Sequence, residues 1–72
     1  MERKNEFVEK LGDLLRVDDR SEVEDLYYGT GYTDGDFNEI VVIVFKGGFR
    51  KAVNVTGDSC KAIAEEVIRE AY

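Results

Sequence analysis

The chain predicts an α+β domain of order αβββα, a three-stranded antiparallel meander packed with an N-terminal and a C-terminal helix. Three observations lead there. Apolar residues recur at three- and four-residue spacings near both ends. The run Ile40-Val41-Val42-Ile43-Val44-Phe45 is β-branched at five of its six positions. Asp34-Gly35 and Gly47-Gly48, pairs that tolerate positive φ, flank that run like hairpin turns.

From Glu2 to Arg16, the residues Phe7, Val8, Leu11, Leu14 and Leu15 share one helical side. Gly12 lies at the edge of that stripe, where a missing side chain permits close packing. Val17 to Ser21 reads as a solvated loop rich in turn formers. Glu22 to Tyr32 favours an edge strand, with Gly29 and Gly31 hinting at a bulge or a frayed end. Phe37 to Phe45, apolar on both alternating faces, suits a middle strand. Phe49 to Val55 returns as the third strand. Ser59 offers a cap for a last helix in which Cys60, Ile63, Ala64, Val67, Ile68 and Ala71 form an unbroken stripe. No linker or repeat divides the chain, so residues 1–72 read as a single domain.

Composition narrows the function classes. A 72-residue chain buries only ~60% of the surface its unfolded form exposes, which leaves little room for a catalytic cavity. A formal charge of −6 opposes attraction to phosphate backbones and anionic lipid. Nucleic acid and membrane are therefore disfavoured partners. A single cysteine and no charged-then-apolar leader lead to the expectation of a reducing, cytoplasmic location.

No catalytic, cofactor or metal constellation emerges. Histidine is absent, removing the usual base and ligand. Cys60 stands near a helix N-terminus without an imidazole to activate it, in register with the apolar stripe, and reads as a small core residue. Asp34, Asp36 and Asn38 imitate the start of a calcium loop, but Glu39 stands where glycine is needed and Phe45 where the bidentate glutamate belongs. Asn54-Val55-Thr56 matches the glycosylation pattern with no export signal beside it. Gly29-Thr30-Gly31 and Gly47-Gly48 lack the helix or lysine of a phosphate loop.

The sheet faces carry the functional expectation. A two-residue Gly47-Gly48 turn pairs Lys46 with Phe49, Val44 with Lys51, Val42 with Val53 and Ile40 with Val55. Ile40, Val42, Val44, Phe49, Val53 and Val55 then form the core face, and Val41, Ile43 and Phe45 lie opposite, across from Asn54, Ala52 and Arg50. A two-residue Asp34-Gly35 loop sets Tyr28 beside Val41 and Leu26 beside Ile43. If both helices cover the first face, the second is an exposed apolar patch open to a second copy or another protein; if one helix covers each, it is ordinary core. The expected interface is Leu26, Tyr28, Val41, Ile43 and Phe45 with Arg50 at the rim, in a non-catalytic homodimer or a complex with an unidentified protein. An alternative is a nucleic-acid mimic inhibiting a nucleic-acid enzyme through Asp18, Asp19, Glu22, Glu24, Asp34 and Asp36.

Two resemblances add to this. The element order, closing with Gly57-Asp58-Ser59-Cys60-Lys61-Ala62, resembles the layout of double-stranded-RNA-binding domains, which implies Lys61 as a phosphate contact; that family's lysine cluster is otherwise missing, and Asp58, Glu65 and Glu66 stand nearby. The passage Asn54-Val55-Thr56-Gly57-Asp58-Ser59 with the later Ala64-Glu65-Glu66-Val67-Ile68-Arg69 is similar to small uncharacterised prophage-encoded proteins, which implies an accessory protein without catalysis.

Overall fold

A computed structural model of the protein describes residues 3–72, so the expected helix start at Glu2 lies outside the described residues. The elements are α1 (Arg3–Val17), β1 (Val23–Thr33), β2 (Asp36–Phe45), β3 (Arg50–Asn54) and α2 (Cys60–Ala71), with strand order β1-β2-β3 in one antiparallel sheet. The predicted αβββα order is the observed one. No helix among the described residues is long and apolar enough to cross a membrane.

Asp34 and Gly35 both adopt left-handed φ, 52° and 84°, as the expected two-residue hairpin requires. Tyr28 accordingly pairs with Val41 and Leu26 with Ile43. Gly29 and Gly31 hold regular register opposite Ile40 and Asn38, and the irregularity falls instead between Val23 and Asp25.

The second hairpin differs from expectation. Gly47 and Gly48 are both left-handed (φ 101° and 96°), Gly48 N–H donates to Phe45 O (2.9 Å), and Phe45 N–H donates to Phe49 O (2.7 Å). The loop is therefore three residues long, Lys46 to Gly48. Val41 pairs with Val53, Ile43 with Lys51 and Val44 with Arg50, one residue away from the predicted register. Because side chains alternate between faces, that single step moves Val53 onto the face of Val41 and Ile43.

Both helices cover this face. Val8 and Leu15 of α1 and Ile63, Val67 and Ala71 of α2 close over Val23, Leu26, Val41, Ile43, Val53 and Val55. α1 lies along β1, and α2 reaches β3, where Lys51 pairs with Glu70 (2.5 Å). The expected core face is thereby corrected: Ile40 and Phe49 are exposed, and Val42 and Val44 are only half-buried. Leu14, placed on the helical stripe by spacing, also faces solvent.

Gly12 is where α1 touches the sheet. A Cβ there would lie 3.3 Å from both Leu26 Cβ and the Leu26 backbone nitrogen. Close packing, the reading favoured for this glycine, is what the backbone shows. Gly12→Val is expected to lower stability by at least about 2 kcal/mol, since its γ-methyls meet strand backbone that cannot yield. Gly12→Ala is expected near zero, a helix gain of about 1 kcal/mol offsetting the crowding. Urea unfolding of the three proteins checks both.

Candidate functional site

The sheet side left free of helices is built by cross-strand rows. Asp25, Val44 and Arg50 form one, Tyr27, Val42 and Ala52 the next, and Gly29, Ile40 and Asn54 the third. Tyr27 is 54% exposed and Ile40 38%. The surface is apolar along β2 and polar at its outer end. Arg50 forms no ion pair among the described residues; Asp25, at the β1 edge, lies 3.7 Å from Arg16, whose nearer partner is Asp13 at 3.0 Å.

The residues expected at an interface separate into two groups. Val41 and Ile43 are fully buried and Leu26 is buried by the protein's own helices, and Tyr28 and Phe45 are half-buried against the same cluster. They belong to the monomer core because the longer second turn gave their face the β3 valine and both helices. Arg50 lies on the open face, together with the Ala52 and Asn54 expected beside it. Sequence reasoning missed Tyr27, Ile40, Val42 and Val44 as surface residues. The signal was present in the two-sided apolarity of β2, but alternation alone does not say which side is covered.

A second cluster was not anticipated. Glu39, whose side chain is 7% exposed, extends the core-facing alternation of Phe45, Ile43 and Val41 by one step. Its carboxylate accepts hydrogen bonds from Lys4 Nζ (2.9 and 3.1 Å), Gly57 N–H (2.8 Å) and the Tyr28 hydroxyl. Its main-chain N–H donates to Thr56 Oγ1 (2.9 Å), and its carbonyl accepts from Val55 N–H (2.9 Å). One residue thus ties α1, β1, β2 and the β3–α2 connection together.

These bonds set the charge states. The Tyr28 hydrogen bond, then Lys4 and Gly57 N–H, hold the Glu39 carboxyl down to about 2. Burial, reinforced by the Glu39 carboxylate, pushes Tyr28 up to about 12. Both groups move away from neutrality, the reverse of what general acid–base chemistry needs. Cys60, the first residue of α2, is half-buried and shares a shallow cleft with Tyr28, Glu39 and Lys4.

The acids of the mimicry reading are dispersed. Asp18, Asp19, Glu22 and Glu24 sit around the α1–β1 connection, whereas Asp34 and Asp36 lie at the far tip of the first hairpin, roughly 30 Å along β1. Asp18 is also engaged by the Tyr72 hydroxyl, a bond that lowers the Asp18 pKa and raises that of Tyr72. Lys61 is exposed in the first turn of α2. Compared with known protein families, curated proteins and solved structures, the chain matches none.

Proposed function

We propose that this protein is a small, non-catalytic interaction module that self-associates through the helix-free side of its sheet. One observation carries the reading: β2 presents Ile40, Val42 and Val44 on the open side while Val41 and Ile43 on the other are completely buried. An apolar row on the side of a sheet that no helix covers supports an interaction surface there. Three strands about 4.8 Å apart and some five residues at about 3.4 Å give a patch of roughly 250 Å² per copy, below the size of stable specific interfaces, which predicts a weak, reversible dimer.

Sedimentation equilibrium over a wide concentration range tests this. The wild type is expected to pass from monomer to dimer at micromolar or higher concentration. Val42→Glu is expected to remain monomeric while losing less than about 1 kcal/mol of stability, because position 42 is outside the core. A wild type that stays monomeric throughout overturns the proposal.

A further inference from the structure

We infer that the two copies pack sheet to sheet about a two-fold axis running along β2, so that Tyr27 of each covers the partner's Ala52. This rests on the self-association reading above and specifies its geometry. A half-turn about an axis parallel to the strands exchanges the places of β1 and β3 and keeps the level along the strand. The rows are complementary to themselves under that operation. Tyr27, Val42 and Ala52 run from large to small, so the bulk on one edge meets the gap on the other. Gly29, Ile40 and Asn54 run from no side chain to a medium one, and the space above Gly29, where an added Cβ meets only Ile40 Cγ1 at 4.0 Å, receives the partner's Asn54. Asp25, Val44 and Arg50 run from negative to positive, so Arg50, which lacks an ion pair among the described residues of its own chain, meets the partner's Asp25, whose carboxylate accepts from its own Leu26 N–H and has Arg16 no nearer than 3.7 Å. Ile40, Val42 and Val44 meet their own counterparts along the axis.

The other two-fold in the interface plane runs across the strands. It sets Tyr27 against the partner's Tyr27 and Ala52 against the partner's Ala52, stacking bulk on bulk and void on void, and it gives Arg50 no acid. Aligned packing of twisted sheets, with strands crossing at about 30°, accommodates the first arrangement and preserves its pairings near the axis. The product is a four-layer sandwich with all helices outside.

A mixing experiment tests the geometry. Ala52→Trp is expected to weaken self-association at least about ten-fold by colliding with the partner's Tyr27. Tyr27→Ala is expected to weaken it several-fold. Mixed in equal amounts, the two variants are expected to form a heterodimer tighter than either homodimer. One of its two Tyr27–Ala52 contacts is native, and in the other the enlarged side chain at position 52 fills the space vacated at position 27. Native mass spectrometry separates the three species by mass. Arg50→Glu, an exposed change, supplies an independent reading: association is expected to fall several-fold at low ionic strength and recover with salt. A wild-type dimer with no preference for the heterodimer and no effect of Arg50→Glu overturns the two-fold geometry while leaving self-association standing. A wild type that never dimerises overturns both.

Discussion

Ile43→Asp is expected to abolish the cooperative fold. Ile43 is wholly buried at the centre of β2, between Leu26 on β1 and Lys51 on β3, beneath both helices. A carboxylate there has no hydrogen-bond donor within the apolar cluster and loses its hydration, and the isoleucine volume is lost as well. The combined cost of at least about 4 kcal/mol approaches the whole stability of a domain this small, for which roughly 5 kcal/mol is typical. Far-ultraviolet circular dichroism with urea titration should show no cooperative transition for this variant. The neighbouring Val42→Glu makes the contrast: one residue away in sequence and on the opposite face, it should fold, at a cost under about 1 kcal/mol, and lose its self-association. If Ile43→Asp folded normally and Val42→Glu did not, the assignment of the two faces of β2 would be reversed.

Replacing Glu39 should produce the second large effect. Glu39→Ala removes the acceptor of the Tyr28 hydroxyl, Lys4 Nζ and Gly57 N–H together. Breaking a buried ion pair typically costs about 3–5 kcal/mol. Lys4 is 30% exposed and Gly57 is exposed, so both recover water and the loss should be near the lower limit, about 3 kcal/mol. Glu39→Gln, which keeps an acceptor but not the charge, should lose about half as much.

The same residue sets the acid limb of stability. Its folded pKa of about 2 lies below the ordinary 4.5, so the folded state binds the proton more weakly than the unfolded state. The stabilisation is complete above about pH 4.5 and disappears as the pH falls toward about 2. That difference corresponds to at most about 3 kcal/mol. Stability measured by urea titration at successive pH values should fall over this window in the wild type and much less in Glu39→Ala. Equal slopes for the two proteins would assign the acid limb to other carboxylates.

The order of elements was legible in the sequence because each rests on local physics. Helical spacing marked α1 and α2, β-branched density marked β2, and Asp34-Gly35 could supply the two positive φ angles of a tight turn. Gly12 was legible for a similar reason, since glycine inside an otherwise regular stripe implies contact. Glu39 was half legible: the period of two along β2 sets it on the face of Val41 and Ile43, an inference the sequence permits, but its donors come from Lys4 and Gly57, 35 and 18 residues away. No local pattern announces such partners.

The open face was the part that only the tertiary structure decided. The sequence determined that β2 is apolar on both sides and, for the two-residue Asp34-Gly35 loop that the structure supplies, that Leu26, Tyr28, Val41 and Ile43 share one of them. It did not determine which side the helices cover. Gly47-Gly48 is compatible with a two-residue or a three-residue loop, and the two differ by one step of register. In a sheet with a side-chain period of two, one step exchanges the faces of every β3 residue relative to β2. The three-residue loop brings Val53 to Val41 and Ile43, the helices bury that richer side, and Tyr27, Ile40, Val42 and Val44 are left facing outward. Local preferences fix what each segment becomes, whereas the side that is buried follows from the summed apolar area of strands and helices that meet only in the folded chain.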